Sequence, residues 1–299
     1  MRKLLADWRV HTLVAAMVVA AAVATASESG DSEPRPRAAQ APVLPSPSAA
    51  IPREPPGLAS TLTKTTTSLR QAIERWREAG DPSRGDPPTD VTLLALHQQR
   101  IYLLLTDRPK LADRTLARLT GSIRAEAHDT LEARRSLKRL ASGTPRTRRF
   151  RTGRALPPDA LRRLYRKGQR RYGVAWQVLA AVNFVETGFN RLRNNSTAGA
   201  QGPMQFIPST WRAYGRGGNI RDPHDAILGA ANYLHASGAP TSYRRALFAY
   251  NHSSRYVDAV LRFARRMRRD VRTYYAYHSW QVFVRTRSGI RRLTGPGRD

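Results

Sequence analysis

Residues 182–189 read VNFVETGF, an apolar run in which one carboxylate precedes a glycine. Glu186 follows Val182 by four positions and Leu179 by seven, so the three side chains share one face of a helix. Gly188 supplies the residue type at which helices commonly end. The stretch therefore predicts an apolar helix that carries a single glutamate on its buried stripe, close to its C-terminal end.

The predicted surroundings of Glu186 act on its pKa in opposite directions. Partial desolvation favours the neutral carboxyl group and raises its pKa, and the C-terminal end of the helix dipole acts the same way. Arg191 and Arg193 would lower the pKa. If burial dominates, the group keeps its proton near neutral pH and can act as a general acid toward a glycosidic oxygen. The alternative is a solvated or salt-bridged glutamate at a helix end.

The segment that follows is rich in small, amide and aromatic residues. Residues 194–211 read NNSTAGAQGPMQFIPSTW. Small residues let backbone approach a ligand closely, and amide and aromatic side chains match the hydroxyl edges and C–H faces of sugars. The segment indicates a sugar-binding loop, and an ordinary loop with a small hydrophobic cluster is the alternative.

Three stretches, taken in order, resemble the motifs of the bacterial lytic transglycosylases, lysozyme-like enzymes that cleave peptidoglycan. They are ETGF at 186–189, STAGAQGPMQF at 196–206 and AYN at 249–251. The similarity spans about residues 155–270. It implies a lysozyme-like helical fold with a glycan-binding cleft, in which Glu186 is the single catalytic acid.

The resemblance also implies substrate-binding roles for residues around that acid. In the family the acid protonates the glycosidic oxygen and then accepts the C6 hydroxyl proton, so the sugar closes to a 1,6-anhydro ring. The residues with implied roles in the cleft are Ser196, Met204, Gln205, Phe206, Tyr250 and Asn251.

The sequence departs from the family pattern at three places. Pro203 stands where Leu is frequent, and it removes a backbone N–H that could contact sugar. Thr187 stands where Ser is frequent. His252 and Ser253 replace the Ala-Gly pair that commonly follows AYN, which predicts an altered edge of the cleft.

A hydrolytic glycosidase normally needs a second carboxylate as base or nucleophile. Glu186 is the only glutamate after residue 150, and none of the aspartates has a pattern that pairs it with Glu186; these are Asp159, Asp222, Asp225, Asp258, Asp270 and Asp299. A reaction with one carboxylate therefore fits best. A hydrolytic muramidase on the same fold and a non-catalytic basic protein that binds cell wall or polyanions are the alternatives.

The composition limits cofactors and partners. The chain has 299 residues, a formal net charge of +29 and no cysteine, which excludes disulfides, thiol nucleophiles and cysteine metal sites. The histidines lack zinc-motif spacing, so we predict no metal and no cofactor. The charge attracts polyanions. We predict a monomer whose partners are peptidoglycan glycan strands and anionic cell-wall polymers, without nucleic acid.

The N-terminus predicts export. Residues 1–26 combine a basic start, an apolar core and an Ala-Thr-Ala cleavage pattern, which is typical of a signal peptide or signal anchor. Residues 10–27 are uncharged and short for a membrane tether. We therefore predict an extracytoplasmic protein, secreted or anchored at the cell envelope.

Composition and periodicity divide the rest of the chain and predict a mainly α fold. A helical hairpin or bundle precedes the lysozyme-like domain, which ends in a small C-terminal β-hairpin. In the first part, one helix ends at Gly80, another follows, and a third, long and highly charged helix with a break near Gly121 is predicted to turn its charges to solvent. The predicted segments are a Pro/Ala-rich disordered linker at 27–57, a helical accessory region at 58–142, a basic linker at 143–154 and the transglycosylase domain at 155–299, with its core at 155–270 and the hairpin at about 278–294.

Overall fold

A computed structural model describes residues 43–140, 149–286 and 289–297. The predicted signal segment at 1–26 lies outside these ranges. The described residues form eleven α-helices and one antiparallel pair of strands, so the prediction of a mainly α fold is confirmed. The helices are α1 (Pro55–Ala79), α2 (Thr89–Asp107), α3 (Pro109–Leu116), α4 (Gly121–Leu140), α5 (Pro158–Tyr172), α6 (Trp176–Thr187), α7 (Pro208–Tyr214), α8 (Pro223–Ala236), α9 (Tyr243–Tyr250), α10 (Ser254–Arg269) and α11 (Val271–Ser279).

Helices α1–α4 form the accessory helices. α1 buries the predicted stripe that includes Leu62, Leu69 and Ile73, and Gly80 ends it by donating its N–H to Trp76 O at 3.0 Å. Pro55 stands in the first turn of α1, where its missing N–H costs no hydrogen bond. The helix begins at Pro55, which lies inside the linker predicted at residues 27–57.

The third predicted helix breaks near Gly121, as expected, into α3 and α4, which are separated by residues 117–120. It differs from the expectation in one way. Its charged face is not wholly solvated, because Glu126 and Asp129 of α4 are only 4% and 5% exposed. Both carboxylates pair with arginines, which compensates the loss of hydration. The prediction of a solvated charged face is therefore wrong at these two positions.

Helices α5–α11 make up the C-terminal half, and several of their ends follow the sequence signals. Asp222 caps α8, since its carboxylate accepts the N–H groups of His224 and Asp225. Pro223 follows at the first helical position. α6, the helix that carries Glu186, packs against α5, α8, α10 and α11. It therefore lies at the centre of this half.

One hydrophobic core joins the accessory helices to the C-terminal half. Buried residues such as Leu58 of α1, Leu131 of α4 and Phe263 of α10 belong to the same cluster. α4 packs along α10, and α1 and α2 pack on α11. Polar contacts cross the same boundary, for example the hydroxyl pair of Thr130 and Tyr277 at 2.8 Å. The accessory helices thus cover one side of α10 and α11.

The C-terminal hairpin consists of β1 (Phe283–Thr286) and β2 (Gly289–Arg292). The strands pair antiparallel, with Phe283 opposite Arg292 and Thr286 opposite Gly289. This confirms the hairpin that alternation predicted. The side chain of Phe283 packs with Leu96 and Leu103 of α2, so the hairpin rests on the accessory helices.

Residues 43–54 precede α1 and contact the accessory helices. Arg100 donates from Nη1 to Ala49 O at 2.7 Å, and Ile51 packs on the core. The predicted division of the chain into domains stays a prediction. Across the described ranges, none of the helices has both the length and the apolar character that crossing a membrane requires.

Candidate active site

Glu186 lies in the last turn of α6, where the chain reverses sharply. Gly188 adopts a left-handed conformation with φ 58°, and its N–H donates to Phe184 O at 3.0 Å. Phe189 and Asn190 are also left-handed, with φ 62° and 66°. Three successive residues of this kind end the helix after Thr187, one position beyond Glu186. The turn leaves the carboxylate at the helix end, as the sequence predicted.

The electrostatics of Glu186 are set by burial and by one hydrogen bond. The side chain is partly buried, and the hydroxyl of Tyr256 donates to its Oε1 at 2.7 Å. Burial raises the pKa of Glu186 to about 7, and the Tyr256 hydrogen bond limits the rise. Since the pKa lies near neutrality, the carboxyl group can both donate and accept a proton at ordinary pH.

The two arginines expected to oppose this shift are used elsewhere. Arg191 is buried and donates to Gly188 O at 3.2 Å, and burial lowers its own pKa to about 10. Arg193 donates to Arg154 O at 3.2 Å. Within the described ranges Glu186 forms no ion pair with either. Burial therefore dominates the pKa of Glu186, which is the condition that the general-acid interpretation of the sequence requires.

Tyr250 lies next to the hydrogen-bonded pair of Tyr256 and Glu186, and it holds the loop that follows α6. Its ring is nearly parallel to that of Tyr256, with centroids 6.5 Å apart. Burial raises the pKa of Tyr250, and the nearby charge of Glu186 raises it further. The Tyr250 hydroxyl donates to Met204 O at 2.6 Å. Tyr250 is thus close to the acid, but its hydroxyl fixes the loop.

The loop at 196–206 turns tightly around Gly202. Gln201 and Phe206 exchange backbone hydrogen bonds of 2.9 Å and close the turn between them. Gly202 has φ +74°, and an added Cβ atom would stand 1.9 Å from Ile220 O. Only glycine fits such a position. The close approach of Ile220 O therefore explains why a glycine stands at position 202.

Two side chains of α6 attach this loop to the helix that carries the acid. Pro203 O accepts hydrogen bonds from Asn183 Nδ2 and from Thr187 Oγ1, both at 2.8 Å. Asn183 is itself fixed by the hydroxyl of Tyr165, which donates to its Oδ1 at 2.6 Å. Since Thr187 adjoins Glu186, these bonds fix the loop beside the carboxylate.

The structure separates the predicted substrate-binding residues into two groups. Met204 and Phe206 are 0% and 2% exposed and pack in the core, so their side chains support the loop from behind. Gln205 and Ser196 are partly exposed. Gln205 donates from Nε2 to Gly202 O at 3.0 Å, and Ser196 Oγ accepts from the N–H of Ala200 at 2.9 Å. Their contacts with substrate stay predictions.

Asn251 has a buried amide without a partner. The residue is 2% exposed, and its Nδ2 makes no hydrogen bond within the part of the chain that the structure describes. A buried donor without an acceptor costs free energy. The contact of Asn251 with substrate, the role that the resemblance implies, stays a prediction.

Sequence reasoning missed Tyr256. With Val257 and Val260 it forms the buried stripe of α10, so the pattern is typical of core packing. Ser253, one of the departures from the family pattern, caps α10 by accepting the N–H of Tyr256 at 3.5 Å. Only the packing of α10 against α6 shows that the Tyr256 hydroxyl reaches Glu186.

One group of side chains in the described residues has the spacing of a cation site, namely Asp222, His224 and Asp225. Its atoms already have partners. Asp222 caps α8, Asp225 Oδ2 accepts the N–H of Asn219 at 2.9 Å, and Lys167 Nζ lies 2.8 Å from His224 Nε2. Helix capping and these contacts account for the group.

Comparison with known families finds a match for the region that contains this site. The family model described as transglycosylase SLT domain matches residues 163–270, a range that contains Glu186, the 196–206 loop and Tyr256. No curated protein and no solved structure matches the chain. The family match implies transglycosylase activity on peptidoglycan glycan strands and hence a location outside the cytoplasm. With its helical fold and the glutamate at the end of α6, the segment 163–270 is a transglycosylase SLT domain, the lysozyme-like catalytic domain of lytic transglycosylases.

Proposed function

We propose that the protein is a peptidoglycan lytic transglycosylase that cleaves the MurNAc–GlcNAc bond without water. Glu186 acts first as general acid and then as general base. A pKa of about 7 suits both roles, because protonated and ionised forms are then comparably populated near neutral pH. The raised pKa of a glutamate without an ion-pair partner in the described residues is the observation that carries this proposal.

The proposed reaction balances with one carboxyl group. Glu186 donates its proton to the glycosidic oxygen as the C1–O bond of MurNAc breaks, and GlcNAc leaves with a free C4 hydroxyl. The substrate's N-acetyl group helps to stabilise the positive sugar. The Glu186 carboxylate then removes the C6 hydroxyl proton, and O6 bonds to C1 to give the 1,6-anhydro product. Glu186 is protonated again at the end.

The partners of the other acids favour this mechanism over hydrolysis. Between residues 155 and 297, every carboxylate except Glu186 has a structural partner. Asp159 accepts from Tyr275 and Arg162, Asp258 pairs with Arg244, and Asp270 pairs with Arg272 and caps α11; Asp222 and Asp225 belong to the start of α8. A hydrolytic muramidase would need one of these as a second carboxylate.

The site geometry supports the remaining proposed roles. Tyr256 orients Glu186 and stabilises its charged form, while Gln205, Ser196 and Asn251 bind the sugar through groups near the loop. Tyr250 positions the loop through Met204 O. We propose that the protein acts as a monomer at the cell envelope, secreted or tethered through residues 10–27.

Mass spectrometry of released muropeptides tests the reaction type. Digestion of purified peptidoglycan with the full chain should give 1,6-anhydro ends, which are lighter by one water than reducing ends. Reducing ends would establish the muramidase instead. Glu186→Gln serves as control and should release neither. Wall binding by the wild type without any release would favour a non-catalytic binding protein.

A further inference from the structure

A cavity of about 660 Å³ opens between the accessory helices and α10, away from Glu186. Four arginines line it: Arg124 of α4, and Arg265, Arg266 and Arg269 of α10. A neighbouring cavity of about 570 Å³ shares Arg266 and Arg269 with the first. We call the first cavity the arginine cavity.

The arginine cavity carries more positive charge than its carboxylates neutralise. At its base Asp129 pairs with three arginines: Arg265, Arg266 at 2.7 Å and Arg262 at 3.1 Å. One carboxylate cannot compensate three guanidinium groups. The other acid of the lining, Asp113, is 67% exposed and pairs with Arg135 at 3.4 Å.

Two lining arginines remain available to a ligand. Arg124 and Arg269 are exposed, and neither forms an ion pair among the described residues. A guanidinium group binds phosphate or carboxylate through two parallel N–H donors. Their position at an already positive cavity raises the attraction for an anion further.

We propose that the arginine cavity binds an oxyanion, phosphate or carboxylate, carried by an anionic polymer of the cell envelope. A bilayer surface fits less well, because interfacial helices bury apolar side chains in the membrane in addition to their electrostatic attraction to anionic lipids. The exposed large apolar residues of the described chain are Val43, Leu44, Leu156 and Phe248, and none of them lines the cavity.

The arginine cavity is distinct from the catalytic site and rigidly linked to it through α10. Tyr256, which contacts Glu186, stands in the first turn of that helix, and Arg269 is its last residue. Thirteen residues of helix separate them by about 20 Å. A polymer held in the cavity would therefore keep the enzyme at the wall and leave the catalytic cleft free for glycan.

Binding of defined polymers to the full chain tests this proposal. The test variant is Arg124→Gln/Arg269→Gln, and the matched control is Arg166→Gln/Arg268→Gln, which removes the same charge from exposed positions outside the cavity. Poly(glycerol phosphate) and polygalacturonate are the probes in titration calorimetry. We expect the test variant to bind about tenfold more weakly and its salt dependence to fall by about two counterions, while the control stays within about twofold of wild type.

The two polymers distinguish the chemistry of the anion. Tighter binding of poly(glycerol phosphate) identifies phosphate, and tighter binding of polygalacturonate identifies carboxylate. Equal weakening in both variants, or no binding of either polymer, would overturn the proposal. So would tighter binding to phosphatidylglycerol vesicles than to either polymer. Glu186→Gln should bind like wild type, so a failure of this proposal is distinguishable from a failure of the proposed catalysis.

Discussion

Two glutamates, one buried in the accessory helices and one partly buried in the SLT domain, have different surroundings. Glu126 of α4 is held by Arg70 at 2.6 Å, whereas Glu186 of α6 has only the neutral hydroxyl of Tyr256. Burial raises the pKa of both, and at Glu126 the charge and hydrogen bond of Arg70 act against that rise. The comparison shows that burial alone does not set the pKa of a glutamate; a cationic partner lowers it, and Glu186 has none among the described residues.

Asp129 represents the opposite extreme in the accessory helices. Burial raises its pKa, but the hydrogen bond from Arg265 and the charges of Arg266 and Arg262 outweigh burial, so the pKa lies below its ordinary value. Asp129 stays ionised and joins α4 to α10. The accessory helices thus use buried carboxylates to hold the fold, whereas the SLT domain keeps one carboxylate without a cationic partner among the described residues.

Removal of the accessory helices should have the largest effect. A fragment of residues 149–299 loses the partners of α10 and α11, including Asp129 and the side of the core that contains Leu131. We expect no cooperative thermal unfolding, as measured by circular dichroism, whereas a chain from residue 43 should unfold in one transition. A sharp transition and full activity in the short fragment would show that the two regions fold independently.

Glu186→Gln should abolish catalysis without unfolding the protein. Glutamine preserves the shape of the side chain but cannot donate the proton, so muropeptide release should fall at least about 1000-fold. For the wild type, the rate should decline as pH rises through about 7, where the acid loses its proton. A variant that keeps more than about a tenth of the wild-type rate would exclude this role.

The same substitution should change how stability depends on pH. The folded pKa of Glu186 is about 7, above the ordinary value of 4.5, so the folded protein binds the proton more tightly than the unfolded chain. Stability of the wild type relative to Glu186→Gln should therefore decrease as pH rises from about 4.5 to about 7, by at most about 3 kcal/mol. Denaturant titrations at these two pH values measure the difference, and a change of opposite sign would contradict the raised pKa.

Asp129→Asn should destabilise the fold by about 3 kcal/mol, because it leaves three arginines around an uncharged amide. Urea unfolding measures the loss. The control Asp113→Asn removes a carboxylate that is 67% exposed and should cost less than about 1 kcal/mol. Equal losses of stability from both substitutions would mean that burial of Asp129 among its arginines adds nothing to the free energy of unfolding.

Tyr256→Phe should have the smallest effect, a shift of the pH–rate profile. Loss of the hydroxyl removes a hydrogen bond to the charged form of Glu186, so the alkaline limb should move upward by up to about one pH unit. Tyr250→Phe is the matched control, because its hydroxyl bonds to Met204 O and its loss should leave the limb in place. An unmoved limb in Tyr256→Phe would limit Tyr256 to packing.

The sequence by itself determined the local features of the protein. The 3.6-residue period placed Glu186 on a buried stripe, Gly80 and Gly188 marked helix ends, and alternation located the hairpin, because each signal acts over a few neighbouring residues. The order of the three motifs also indicates the SLT domain without any knowledge of tertiary contacts.

Only the tertiary structure decided which partner each buried polar group has. Tyr256 and Glu186 are 70 positions apart, and Arg262 and Asp129 are 133 positions apart. The sequence pattern of one helix predicts which of its faces is buried. It does not predict which other helix packs on that face. The resulting electrostatics, a cationic partner for Glu126 and a neutral one for Glu186, therefore arise from packing between distant elements.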